Sequence, residues 1–228
     1  MPNLIAARTL SSLLFFLIVS SVSVAAAQAP SSEVVARVKR AVVLITTYDS
    51  QGRPDKQGSG FFLTPVRVVT NLHVINSASA IRISTFTNRR VFVDSVLATD
   101  KTSDLALLQL NAPCPDVATL ELEDAEPFEG EPVIVVSNPL GSHWHVTAGE
   151  VGANWNFSDM GERMRITAGL LPGSSGGPVL NLQGRVIGIA AMHTGSADDL
   201  NFAVPAERLK TLQTTAATSH LSASTHRD

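Results

Sequence analysis

The sequence predicts an all-β fold, and three observations carry that reading. Between Ala41 and Pro205 the chain breaks into about twelve short apolar runs rich in Val, Ile, Thr and Phe. Turn signals such as Gln51-Gly52-Arg53-Pro54, Asn138-Pro139 and Gln183-Gly184 separate the runs. No amphipathic helical stretch lies between them, which excludes a βαβ arrangement. The runs group as two sets of six, the pattern of a barrel or a sandwich.

The elements follow in order. Arg8, the apolar block Leu13–Val19 and the small residues ending Ala25-Ala26-Ala27-Gln28 read as a secretory signal, cleaved after Ala27. The block is shorter than the ~20 residues a spanning helix needs, so no stable membrane insertion is expected. Residues 1–27 are then a signal peptide, and the mature chain is exported to a bacterial periplasm or secreted. Ser31 and Ser32 can cap a short helix whose apolar positions are Val34, Val35 and Val38. The first set of strands is expected at Val42–Thr47, Gly60–Thr64, Val66–Thr70, Ile81–Phe86, Val91–Ala98 and Leu105–Leu110. The second is expected at Pro132–Val136, Val146–Val151, Met164–Ala168, Pro178–Leu180, Val186–Ala190 and Asn201–Val204. Pro205 opens a terminal helix over residues 206–212. The polar, Ser/Thr/Ala-rich stretch 214–228 is expected to be a disordered tail. Residues 28–213 thus form one domain holding both sets, about 41–112 and 128–205.

Composition narrows the function. Apolar residues make up 44% of the 228 and charged ones only 16%, enough for a sizeable core. A net charge of −3, with no clustered basic face, argues against a nucleic-acid partner. Cys114 is the single cysteine, so an exported chain has no internal disulfide and depends on its core alone. Between Pro113 and Pro115 it reads as a small apolar filler rather than a nucleophile. His143 and His145 lack a third ligand at convincing spacing and read as loop residues.

Three short segments carry chemistry. Leu171-Pro172-Gly173-Ser174-Ser175-Gly176-Gly177-Pro178 suits a nucleophile loop. Its glycines permit the dihedrals that let a hydroxyl project while backbone N–H groups converge on a developing oxyanion. A serine needs a base, and the base an orienting group. His73 ends the run Val68–Leu72, and Asp104 stands at the mouth of Leu105–Leu108. Each residue alone has a structural explanation, but the order His73, Asp104, Ser175 is that of one known triad arrangement. The same glycine loop also fits G-x-S-x-G, yet that elbow belongs to a fold whose acid and histidine follow the serine. Asp198 and His220 do follow, but His220 lies in the polar tail and no βαβ alternation precedes the loop.

With these motifs the chain resembles the trypsin-like proteases of the HtrA (Deg) group. The matching strings are Gly58-Ser59-Gly60-Phe61, Thr70-Asn71-Leu72-His73-Val74, Ser103-Asp104-Leu105-Ala106, Asn138-Pro139-Leu140-Gly141, Gly173–Pro178, Val186-Ile187-Gly188-Ile189 and Asn201-Phe202-Ala203-Val204-Pro205. The resemblance implies a double six-stranded β-barrel and a serine endopeptidase acting on polypeptides, unfolded proteins above all. It implies no cofactor and no metal. His73 would act as base, Asp104 as its orienting carboxylate and Ser175 as nucleophile, with the N–H groups of Gly173 and Ser175 as oxyanion hole. Gly169, Leu170, Ile189, Ala190 and Asn201 would line an apolar primary pocket. The resemblance also leaves room for a chaperone-like module that binds unfolded chains through a seldom-assembled site. Ser174 stands where digestive relatives carry an Asp that pairs with a freshly cut N-terminus, so no such zymogen step is expected. The chain ends before a PDZ domain of the HtrA kind could follow, and nothing supports or excludes an oligomer.

Overall fold

The computed structural model describes residues 29–139, 144–193 and 200–224. The expected signal peptide, His143 and Asp198 lie outside these residues. Helix α1 (Ser32–Ala41) begins as its cap dictates: Ser31 is extended, and its hydroxyl accepts the Val34 N–H at 3.2 Å. Glu33 in the first turn and Lys39 and Arg40 in the last complement the helix dipole.

The first sheet is built from β1 (Val42–Tyr48), β2 (Pro54–Thr64), β3 (Arg67–Asn71), β4 (Ala80–Ser84), β5 (Arg90–Phe92), β6 (Ser95–Asp100) and β7 (Leu105–Gln109). Its order is β5-β4-β1-β2-β3-β7-β6, and a single helical turn, α2 (Leu72–Ile75), follows β3. The run Val91–Ala98, expected as one strand, is two. Val93 donates to Ile81 O of β4 and Asp94 to Gln109 O of β7, each at 2.9 Å. The chain turns a corner there, passing from one edge of the sheet to the other, which makes seven strands where six are expected.

The second sheet is a closed barrel of β8 (Pro132–Ser137), β9 (His145–Phe157), β10 (Gly161–Ile166), β11 (Pro178–Leu180), β12 (Val186–His193) and β13 (Asn201–Pro205), ordered β10-β13-β12-β11-β8-β9. Every strand pair in both sheets is antiparallel, so the elbow fold with a parallel sheet does not apply.

Alternation along the strands sorts the apolar residues into three clusters. The first sheet is open, a half-barrel of seven strands where a closed six-stranded one is expected, and Val43, Ile45, Phe62 and Leu108 fill it together with Cys114. Val133, Val135, Met164, Ile166 and Val179 fill the second. The opposite faces of the same strands, with Phe61, Val69, Leu107, Ile134, Val136 and Ile189, form the seam between barrels. Fully burying one such side chain contributes about 1.5–3 kcal/mol, so the seam fixes the two barrels against each other.

Helix α3 (Ala206–Ser224) corrects the expected tail. It runs well past residue 213, because Leu209, Leu212 and Ala216 bury into the seam. Its threonines fold back on the helix: Thr211, Thr214 and Thr215 hydroxyls donate to the carbonyls four residues earlier at 3.1–3.2 Å. Polar composition suggested solvent; these internal bonds satisfy it within a helix.

Candidate active site

Strand register brings His73 and Asp104 together. β3 pairs with β7 so that Asn71 faces Leu105. The residue two after Asn71 and the residue one before Leu105 therefore meet at the same end of the sheet. Asp104 adopts φ +56°, a left-handed turn conformation that Asp tolerates better than most side chains. From there it wraps the first turn of α2. Its carbonyl accepts Leu72 N–H at 3.0 Å and the Asn71 side-chain amide at 2.9 Å. Its carboxylate accepts His73 N–H at 2.9 Å on Oδ1 and meets His73 Nδ1 at 2.6 Å on Oδ2. A carboxylate only accepts, so Nδ1 carries the ring proton and Nε2 keeps its lone pair. One residue both caps the helical turn and fixes the imidazole tautomer.

The serine half is built from backbone. Ser174 N–H closes on Leu171 O at 2.8 Å, with Pro172 and Gly173 between them and Gly173 at φ +91°. Proline second and a left-handed glycine third define a type II turn. Gly177 N–H then closes on Ser174 O at 3.0 Å, with Gly176 at φ +87°. The two turns share Ser174, and Ser175 is the second residue of the latter. The remaining N–H groups of the stretch 171–177 are accounted for: Leu171 donates to Ser174 Oγ at 3.1 Å and Gly176 to Ala190 O at 2.8 Å. Among the described residues, the N–H groups of Gly173 and Ser175 alone in this stretch have no protein partner. Both residues are half-buried, and two adjacent free donors can take one anionic oxygen. The Ser175 hydroxyl rests on Ala191 O at 3.5 Å, and no hydrogen bond joins it to His73.

Ser174 is held inside the protein. Its hydroxyl meets that of Ser137, from the end of β8, at 3.1 Å, and both residues are buried.

Sequence reasoning missed two residues here. Ser59, on β2 and fully buried, donates from its hydroxyl to Gly173 O at 2.8 Å and from its N–H to Ser175 O at 2.8 Å. It stands in a matching string, but its side chain gave no sign of reaching the other barrel. Arg163, on β10, is 2% exposed and donates to Thr102 O at 3.2 Å and Glu162 O at 2.9 Å. Burial pulls its pKa down, while the charges of Asp104 and Asp100 oppose that shift. In the string Glu162-Arg163-Met164-Arg165 it reads as surface alternation, and no sequence signal marks it as buried.

The expected pocket residues divide. Leu170 and Ala190 pack at the interior of the second barrel with Ala168, Ala203 and Met164, an apolar setting. Gly169 is exposed, and a Cβ there would meet nothing within 4 Å. Asn201 starts β13, opposite His193. Ile189 packs into the seam between the two sheets, on the face of β12 opposite Ala190, and like Ala190 has no exposed surface. The strand residue that touches the serine is Ala191, one step past the expected segment. Cys114 is buried, which raises its thiol pKa, as suits a filler. Among the described residues no group of three His, Cys, Asp or Glu side chains could hold a metal, and no helix is long and apolar enough to cross a membrane.

The model of the trypsin-like peptidase domain matches residues 58–189, spanning the histidine, aspartate and serine loops just described. The chain belongs to the trypsin-like peptidase family. Its relatives there are HtrA/DegP-like. It is 32% identical over 165 residues to a probable periplasmic serine endoprotease DegP-like of Marinomonas sp. (strain MWYL1), covering 69% of this chain and 34% of that one. It is also 32% identical over 170 residues to the putative serine protease HhoA of Synechocystis sp., covering 71% of this chain and 43% of that one. The chain therefore spans well under half the length of these relatives. In fold it is similar to the serine endoprotease from Yersinia pestis, with a TM-score of 0.70 at 24% identity, over 83% of this chain and 68% of that one.

Proposed function

We propose that the protein is an exported serine endopeptidase in which Ser175 attacks the scissile carbonyl, His73 relays the proton and Asp104 orients the imidazole. The observation that carries the reading is the meeting of two independent constructions. The 2.6 Å contact between His73 Nδ1 and Asp104 Oδ2 leaves Nε2 as a base, and the serine loop offers two unpaired N–H groups. Asp104 also caps a helical turn, but capping alone does not require an imidazole on its second oxygen.

The steps follow from those groups. Nε2 takes the Ser175 proton as Oγ bonds to the carbonyl carbon. The carbonyl oxygen becomes anionic and accepts from Gly173 and Ser175 N–H. His73 then protonates the leaving amine, and water repeats the sequence on the acyl-enzyme. Ser175 must first rotate from Ala191 O towards Nε2; such contacts tighten on substrate binding. Two N–H groups left without a protein partner beside Ser175 favour an enzyme over a chaperone-like binding module.

Substrates are polypeptides in extended, unfolded form. The apolar setting of Leu170 and Ala190, with no side chain on Gly169, suits a small or medium aliphatic residue before the scissile bond. Residues 1–27 direct export and are removed after Ala27. The protease domain runs from residue 28 into α3, which packs against it through Leu209, Leu212 and Ala216.

Fluorophosphonate labelling tests the reading directly, since it requires an assembled nucleophile and base. The wild-type protein is expected to label once, on Ser175, with Ser175→Ala unlabelled. Equal labelling of the two, or none of folded wild type, overturns it.

A further inference from the structure

We infer that Ser59 is a positioning residue for the oxyanion hole, acting from the first barrel on a loop that belongs to the second. The inference rests on the proposed role of Gly173 and Ser175. Ser59 lies on β2, whose other contacts are with β1 and β3 of its own sheet. It is nevertheless tied to three points of the second barrel. Its N–H donates to Ser175 O at 2.8 Å, its hydroxyl donates to Gly173 O at 2.8 Å, and the same oxygen accepts Asn138 N–H at 2.9 Å.

The bond to Gly173 O has a specific consequence. A type II turn differs from a type I turn in the orientation of its central peptide, here Pro172–Gly173, whose N–H is one of the two free donors. That orientation is coupled to the positive φ of Gly173, and the peptide on its other side is held by Ser59 Oγ. Glycine by itself populates positive and negative φ about equally. A buried hydroxyl gripping Gly173 O selects one of the two states and thereby aims the Gly173 N–H.

The grip is itself fixed. Ser59 O accepts the Thr70 hydroxyl at 2.8 Å, and a Cβ on Gly176 would come within 2.1 Å of that same carbonyl. Ser59 has no exposed surface, so water does not replace its hydroxyl readily. Thr70 lies on β3, three residues before His73. Base and oxyanion hole are thus referenced to one short piece of backbone. A seam of apolar contacts fixes two barrels to within a repacking; a directed hydroxyl sets the angle of a peptide plane.

Two variants test this. Ser59→Ala removes the donor, and Ser59→Cys keeps the volume with a weak donor. Steady-state cleavage of an unfolded substrate, normalised to sites titrated with fluorophosphonate, is expected to show kcat reduced about 10–100-fold in Ser59→Ala, below the ~10²–10³ for outright loss of one oxyanion donor. KM is expected to stay within about twofold, with Ser59→Cys between the two. A role in stability alone would lower the melting temperature and leave kcat per titrated site unchanged, and that result overturns the inference. Amide exchange of Ser174 N–H, read by NMR in wild type and Ser59→Ala, decides the point without turnover. Faster exchange in the variant supports the clamp, and equal exchange refutes it. Absence of labelling in the folded wild type would instead count against the proposed catalytic role, with the exchange comparison still deciding the clamp.

Discussion

The two halves of the site are made differently. In the first half the proposed base and acid are held by side chains at a half-exposed edge: the His73 side chain is 50% exposed and that of Asp104 23%. In the second, the serine loop is held by backbone hydrogen bonds and buried hydroxyls, with Ser59, Ser137 and Ser174 all at or below 2% exposure. One half is specified by which residues are present, the other by where peptide planes point. Proton transfer needs a group of the right basicity that can move slightly. Stabilising an oxyanion needs donors that do not reorganise.

That contrast orders the expected losses. Removing a reacting atom should cost most. Ser175→Ala and His73→Ala are each expected to lower kcat by several orders of magnitude, with little further loss in the double variant, because triad members act as a unit. Circular dichroism and casein cleavage check this, and additive losses would separate the two halves functionally. Displacing a donor should cost less. Gly173→Ala places a side chain at φ +91°, strained for any L residue. The turn relaxes and the Gly173 N–H leaves the hole, with kcat expected to fall by about 10²–10³. Unchanged kcat would mean that the backbone half tolerates rotation.

A change beside both halves should alter choice rather than rate. Gly169→Asp has open space for its side chain and brings a carboxylate to an apolar pocket. Cleavage after Lys and Arg is expected to appear, since a buried cation is accepted only when paired. Mass spectrometry of products from an unfolded protein reads this. No shift towards basic residues would remove Gly169 from the pocket.

The same division explains how much was legible in the sequence. His73, Asp104 and Ser175 could be named because their chemistry is rare in combination, and strands followed from alternation. Val91–Ala98 was not read as two strands, since a corner is set by partners at Ile81 and Gln109 that are far away in sequence. Ser59 and Arg163 went unnoticed for a related reason: burial between two barrels is a property of their packing. Side-chain chemistry is local to the sequence, and peptide orientation is not.

Acid should reveal the contrast most gently. Asp100 Oδ1 accepts Ser103 N–H at 3.1 Å and so shapes the loop that delivers Asp104. Burial works against its charged form, but hydrogen bonds from Ser103 and Thr102 and the charge of Arg208 outweigh it, and the pKa is lowered. A carboxyl held below its unfolded value contributes stability that is fully present above the unfolded pKa, ~3.9, and is lost as pH falls through the folded one. The serine loop depends on hydroxyls and amides that do not titrate there. Between pH 5 and 2.5, with rates corrected for the intrinsic pH dependence of amide exchange, protection in residues 101–104 is therefore expected to fall more than in 173–177. The difference should be small, on the order of 1 kcal/mol, the worth of one partly exposed hydrogen bond. Asp100→Asn keeps an acceptor without a charge, and in it the two segments should respond to acid alike. Greater loss of protection in 173–177 than in 101–104 would show that the backbone half, not the side-chain half, depends on ionised groups.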